Sequence, residues 1–349
     1  MPQNTCDILI IGQGLAGSIL GYFLEKMGLH VRLIDNQWKQ SATRIAAGLV
    51  NPISGKRLTL PWKVSELLPF SKQFYQDLED RLKTRLISPL PTLRLFTNQT
   101  EHRIFTKKKK MDAYREFFHS VDKGSIPDGV AYPHGLTLFR ESYFLNMPLF
   151  LTTMRDYFKK NIHSFQLSVS RVNVYKDRVV VGDIEAKKII FCTGFGVMTL
   201  PWLERLPFRP AKGQTLSLSI PELSPAYIYN FGRWLVPLEK GTFKLGATYE
   251  WEDMTLKTSS ESRSELIEHL CRHITSSATV INHDVGIRCM VKDLQPFMGF
   301  LSSQPLIGVF SGFGSKGVMM APYFGEKFAQ HIVHGAPMDT DVSLSRFGI

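Results

Sequence analysis

Cysteine is scarce in this chain. Cys6, Cys192, Cys271 and Cys289 are the four present, and no two form a CxxC pair. Neither a disulfide framework nor a thiolate zinc site is therefore expected. Long apolar runs are also missing, so no transmembrane segment is expected. The most apolar segment, Ile8 to Leu24, is broken by Gln13 and four glycines and has no basic flank, which argues against a signal peptide too. A cytoplasmic location is the simplest expectation. There are no internal repeats or low-complexity linkers, and no Ser/His/Asp set or carboxylate pair stands out as a source of general acid–base chemistry. His269 and His273 sit four apart in a helical stretch around Cys271. That spacing can hold a metal, but no third ligand lies near in sequence, so a surface helix without metal is expected. Acids are in deficit: 31 Asp and Glu against 42 Lys and Arg leave a formal charge of +11. Such a balance opens RNA, an anionic membrane or an acidic partner. The densest basic run, Lys107 to Lys110, reads more plainly as a solvated loop or helix face.

The composition itself is that of a globular protein, with 44% hydrophobic and 21% charged residues over 349 positions, enough for about two units of roughly 150 residues each. Chemistry first shows at the N-terminus. Asp7-Ile-Leu-Ile-Ile11 reads as a strand, followed directly by Gly12-Gln-Gly14-Leu-Ala-Gly17. Leu15, Ala16, Ile19, Leu20, Phe23, Leu24 and Met27 then recur at helical spacing, and Gly28 closes the helix. His30 to Asp35 reads as a second strand ending in an acid, 18 residues after Gly17. Strand, glycine turn, helix, strand and acid together make a dinucleotide-binding unit. Gly12 permits the turn, Gly14 lets a pyrophosphate approach the backbone, and Gly17 lets helix and strand pack closely. The helix start attracts the phosphates, and Asp35 accepts from ribose hydroxyls. The motif alone does not separate FAD from NAD.

Three later segments favour FAD. The first is Ser41-Ala-Thr-Arg-Ile-Ala-Ala-Gly-Leu-Val-Asn-Pro52. Its small-residue run, with Thr43, Ala46, Ala47, Gly48 and Leu49, resembles the D-amino-acid oxidase and glycine oxidase family, in which such a step flanks the isoalloxazine. The second is Lys188-Ile-Ile-Phe-Cys-Thr-Gly194 with Arg209, Pro210, Gly213 and Gln214 downstream; Thr193 and Gly194 match the family's strand end. Upstream, Ser170-Arg-Val172 is similar to the strand that touches the adenine. The third is Ile307 to Pro322, in which Gly312, Gly314, Ser315, Lys316 and Gly317 form a glycine loop before a helix. The resemblance implies a helix start against the flavin pyrimidine edge, favouring anionic reduced flavin. It spans almost the whole chain in family order and makes FAD the expected cofactor.

Alternating runs such as Gln214-Thr-Leu-Ser-Leu-Ser-Ile220 and Thr242-Phe-Lys-Leu-Gly246 suit an antiparallel sheet with one exposed or cavity-lining face. Residues 61–140 carry aromatic and basic helical patterns. The expected fold is α/β, a Rossmann-type FAD-binding domain with an inserted substrate domain on a mostly antiparallel sheet. Residues 1–60, 142–213 and 285–349 fall to the first and residues 61–141 and 214–284 to the second. Trp234-Leu-Val-Pro237 and Gly246-Ala-Thr-Tyr249 match family stretches whose flanking residues face substrate, here Trp234 and Tyr249; core aromatics are the alternative. Val285-Gly-Ile-Arg-Cys-Met-Val-Lys-Asp-Leu-Gln-Pro296 matches Gly-x-Arg, a gap, then Asp-x-x-Pro. The resemblance makes Arg288 the holder of a substrate carboxylate, for which a guanidinium is suited; a structural salt bridge is the alternative. Cys289 and Met290 depart from the pattern and resemble a step of sarcosine oxidases, which attach flavin through cysteine; a buried inert thiol is the plainer reading.

The function implied is oxidation of the C–N bond of a small amine or amino acid, of glycine, sarcosine or D-amino-acid type, by hydride transfer to flavin N5. Water then hydrolyses the imine, and oxygen or another acceptor removes the electrons. Three rivals stay open: a tRNA wobble-uridine carboxymethylaminomethyl oxidase, whose domain normally accompanies a methyltransferase; a membrane-associated amino-acid dehydrogenase feeding a quinone; and a flavin-bound module without turnover. A nucleic-acid partner and a homo-oligomer are likewise left open.

Overall fold

The computed structural model describes residues 4–35, 41–164, 171–239 and 241–349. Strands and helices are numbered along the chain. The first sheet is centred on β1 (Thr5–Ile11), which pairs in parallel with β2 (Val31–Ile34) on one side and β11 (Ile184–Phe191) on the other. The parallel set continues to β8 (Ile162–His163) beyond β2 and to β18 (Gln304–Ser311) beyond β11. Three strands join antiparallel: β17 (Phe297–Leu301) on β18, β10 (Val179–Val181) on β11, and β9 (Val172–Val174) on β10. Ile8 to Ile11 are buried on both faces, as a parallel strand with covered faces requires. Helices α1 (Leu15–Lys26) and α8 (Gly317–His334) pack together on one face, and Gly325 gives the approach, with Ile19 Cγ2 3.0 Å from where its Cβ would stand.

The second sheet has the order β16–β12–β15–β14–β13–β5–β6. Its strands are β5 (Thr92–Leu95), β6 (Leu136–Phe139), β12 (Ala211–Ser219), β13 (Ile228–Asn230), β14 (Trp234–Pro237), β15 (Thr242–Gly246) and β16 (Thr279–Arg288). Every pairing is antiparallel except β13 with β5. β15 alternates as its sequence predicts, but Ala211–Leu216 of β12 are buried throughout. The reason is cover on both faces. Leu266 and Leu270 of helix α7 (Ser260–Cys271) pack with Leu216 and Leu218 on one side, and the cavity described below lies on the other. The expected boundaries at 213/214 and 284/285 fall inside β12 and β16. A small third sheet joins β3 (Leu49–Val50), β7 (Tyr143–Leu145) and β4 (Ile87–Pro89).

Helix α3 (Val64–Leu82) packs on α8, and the Tyr75 hydroxyl donates to the carbonyl of Val318 at 2.9 Å. Of the Lys107–Lys110 run, Lys108 at the end of helix α4 (Gln99–Lys108) donates to the Leu58 carbonyl at 2.9 Å and meets the Tyr114 hydroxyl at 2.8 Å. His273 departs from the expected surface helix: α7 ends at Cys271, and the ring is buried against Phe231. No helix among the described residues is long and apolar enough to cross a membrane.

Candidate functional site

A cavity of about 910 Å³ opens where the carboxyl ends of β1, β2, β11 and β18 face the second sheet. This is the side on which open α/β sheets bind ligands, and the volume lies at the upper end of small-molecule sites. Gly12, Gly14, Leu15 and Ala16 line it at the turn leaving β1. Gly12 has φ +100°, and a Cβ there would stand 2.7 Å from the Cys192 carbonyl oxygen. Gly17 lies behind the turn rather than on the wall; its Cβ would stand 1.9 Å from the Gly12 oxygen. The turn is fixed from three sides. Asp35 Oδ2 accepts from the Gln13 backbone at 2.7 Å, Thr43 Oγ1 accepts from Leu15 N at 3.2 Å, and the buried Gln13 side chain is held by helix α6 (Met147–Tyr157). Its amide donates to the Leu151 carbonyl at 3.2 Å and accepts from Arg155 at 3.0 Å.

Two helices present their amino ends to this cavity. Neither α1 nor α8 has a side-chain cap or an acid in its first turn, so the partial positive charge there is not offset by the helix's own side chains. At α8 the loop Gly312, Gly314, Ser315, Lys316 and Gly317 lines the wall, and burial lowers the Lys316 ammonium below its usual range. Thr43, Ala46, Ala47, Gly48 and Leu49 form another wall around helix α2 (Ala42–Ile45) and β3. Gly48 has φ +69° and would place a Cβ 1.9 Å from the Leu145 carbonyl oxygen. Thr193 and Gly194 follow β11 on the wall, and Thr193 Oγ1 is buried with no hydrogen-bond partner among the described residues. Val172 packs instead with the apolar cluster that holds Val179 and Ile184; Ser170 lies outside the described residues.

The second sheet supplies the opposite wall, and three glycines make it flat. A Cβ at Gly213 would meet the Arg288 guanidinium at 2.4 Å, one at Gly246 the Trp234 indole at 2.6 Å, and one at Gly286 Ile45 Cδ1 at 2.6 Å. Each glycine is thus covered by a different large group, as strand glycines at close approaches are. Arg288 lies across β12, donates to the Thr248 carbonyl at 3.4 Å, and sits 4.4 Å from the Tyr249 ring centroid. Burial holds its pKa below the usual guanidinium range, with the Tyr249 hydroxyl opposing and the nearby Arg233 adding to the effect. No ion pair joins Arg288 to an acid among the described residues, in contrast to the structural salt bridge weighed from sequence. Asp293 of the same segment pairs with Arg346 at 3.1 Å. Trp234, Tyr249 and Arg288 all reach the cavity.

Sequence reasoning passed over several wall residues. Arg94 and Asn230 are bonded to each other, and Arg94 is buried in an ion pair with Glu101. Arg233 pairs with Glu265, Lys56 stands at the mouth, and Thr215 Oγ1 is buried without a hydrogen-bond partner among the described residues. The strand glycines 213 and 246 were the available signal. Cys289 is buried on the wall, and burial pushes its thiol up to about 11.

These residues fit FAD. Two uncapped helix ends, glycine turns closed to any Cβ and an orphaned threonine hydroxyl suit a long phosphate-bearing ligand. A family model described as FAD dependent oxidoreductase, DAO, matches residues 7–331. Glycine oxidase from Geobacillus kaustophilus superimposes with a TM-score of 0.85 over 99% of both chains, at 16% identity. Iminodiacetate oxidase from Chelativorans gives a TM-score of 0.77 at 20% identity, over 97% of this chain and 98% of that one. The tRNA 5-methylaminomethyl-2-thiouridine biosynthesis bifunctional protein MnmC of Nitrosospira multiformis is 24% identical over 355 residues, covering 92% of this chain and 56% of that protein. The chain spans little more than half the length of that relative.

Proposed function

Because this chain belongs to the FAD-dependent oxidoreductase family DAO, we propose that it oxidises the C–N bond of a carboxylate-bearing small amine or amino acid, of glycine, sarcosine or D-amino-acid type. The observation that carries this reading is Arg288: a guanidinium on the cavity wall, with an aromatic ring beside it and no ion pair to an acid among the described residues. A half-buried cation without an acidic partner calls for an anion, and a carboxylate matches its two-pronged donor geometry.

FAD, when bound, supplies the two-electron acceptor for the hydride that leaves the carbon beside nitrogen. Gly12, Gly14, Leu15, Ala16 and Gly17 would hold its phosphates, and Asp35 would take the ribose hydroxyls. Thr43, Ala46, Ala47, Gly48 and Leu49, with Thr193, Gly194 and the loop of Gly312, Gly314, Ser315, Lys316 and Gly317, would hold the flavin ring system. Val172 would meet the adenine through its backbone. Arg288 fixes and orients the substrate carboxylate, while Tyr249 and Trp234 wall the site. The division into a discontinuous FAD unit (1–60, 142–213, 285–349) and a substrate unit (61–141, 214–284) is part of the same proposal.

An anaerobic absorbance titration with amino acids and N-substituted glycines tests it. Flavin bands bleached by one member name the substrate class. Bands that no member bleaches reject a small substrate. A second reading, in which the amine is borne on RNA, is favoured by the MnmC relatives and by the charge of +11. A tRNA shift surviving moderate salt supports it, since weak phosphate contacts dissolve there.

A further inference from the structure

Beyond Arg288 an apolar shelf runs outward from Tyr249 and Leu256, which line the cavity, to Trp251, which lies outside its lining. Tyr249 and Trp251 stack with centroids 6.0 Å apart at 28°. They remain 43% and 51% exposed, and Leu256 on the mouth wall is 57% exposed. The shelf is held in place. The buried Lys212 ion-pairs with Asp253, its backbone exchanges hydrogen bonds of 2.8 and 3.0 Å with Glu250, and Asp253 accepts from Thr255 N at 2.7 Å. From inside to outside, Arg288 lies 4.4 Å from the Tyr249 ring and the exposed Arg209 lies 5.9 Å from Trp251. Exposed aromatic surface anchored at the rim of a ligand cavity marks a contact site.

We infer that this shelf is a subsite for a planar ring tethered to the carboxylate-bearing amine. The carboxylate sits on Arg288, and the ring packs against the open edges of Tyr249 and Trp251 and over Leu256. The inference rests on the proposed function for the carboxylate and adds the class of the remainder of the substrate. A ring is favoured over an aliphatic chain because edge-to-face and offset contacts with two aromatics add to simple area burial. The same chemistry is offered by a free aryl-substituted amine and by a nucleobase in RNA.

Calorimetry with benzyloxyacetate and methoxyacetate tests the shelf without turnover, since an ether oxygen replaces the amine nitrogen in both. Benzyloxyacetate should bind tighter by roughly tenfold, and that ratio should fall toward one in Trp251→Ala and Leu256→Ser. A ratio near one in the parent protein, or an unchanged ratio in both variants, overturns the inference. Arg288→Ala tests the reading beneath it: both ligands should weaken together. Unchanged affinities there reject the carboxylate anchor, while the ratio still decides the shelf. Anaerobic bleaching by N-benzylglycine, against a short RNA bearing carboxymethylaminomethyluridine, separates the sources. Dependence on Trp251 with the free compound assigns a small molecule, and dependence with RNA alone assigns the nucleobase. Dependence with neither overturns the inference.

Discussion

At the scale of single residues, Arg288 is the group whose surroundings say most. Its identity was legible in Gly-x-Arg, but its lack of an acidic partner was not, because ion pairs are made across the fold. Removing it as Arg288→Ala should weaken an unreactive carboxylate ligand by roughly 10- to 150-fold, the value of about 1.5–3 kcal/mol for a hydrogen bond to a charged group. Arg288→Lys should recover little, since a point charge cannot grip two oxygens. Dissociation constants from calorimetry check both. Gly213 offers an indirect test of the same geometry. A methyl group there would stand 2.4 Å from the guanidinium, so Gly213→Ala should push Arg288 off β12. We expect carboxylate affinity to drop while the flavin spectrum keeps its shape. If affinity holds, the guanidinium has somewhere else to go, and its position over Gly213 is not what the ligand needs.

At the scale of elements, the β1 turn and α1 were the most legible part of the chain. Strand, glycines, helix and Asp35 follow one another, so local pattern was enough. The structure adds what keeps the turn rigid: Gln13 is clamped by Leu151 and Arg155 of α6, more than 130 positions along the chain, and no local pattern reveals that. The second sheet was read as alternating strands, and β15 obeys. β12 does not, because α7 covers one face and the cavity wall the other, a fact set by packing rather than by sequence period. Val172 turns its side chain into the apolar cluster with Val179, so only its backbone is left to meet a ligand, which a three-residue match does not reveal. The close approach of α1 to the β1 turn is also testable. Gly17→Ala would set a methyl 1.9 Å from the Gly12 oxygen, forcing α1 away from β1. Overpacking of this kind costs about 1–3 kcal/mol, and it moves the helix end proposed to meet the phosphates. A lower unfolding midpoint together with weaker FAD retention on dialysis is expected. A stable variant that keeps its flavin would mean that the helix tolerates the shift.

At the scale of the whole molecule, stability should depend on pH through histidine rather than through the abundant lysine and arginine. His163, His269, His273 and His283 are all held below the usual imidazole range, each first by burial. For His273, the nearby His269 and Arg94 add to the effect, while the Ala131 carbonyl and Glu101 oppose it. The folded state thus keeps neutral rings that the unfolded chain protonates near pH 6.5. Below that value the unfolded state binds more protons. The histidine contribution is therefore complete above about pH 6.5 and is lost as pH falls toward the depressed folded values. Asp7, Asp253, Asp339 and Glu261 are held below the carboxylate range, and their share is lost only below about pH 4.5. The interval from about pH 6.5 down to 5 belongs to the histidines. Unfolding midpoints should decline across it, and His273→Phe, which keeps an aromatic ring against Phe231, should flatten the decline. A parallel curve in that variant would show that His273 titrates alike in both states and that its burial against Phe231 carries no pH dependence.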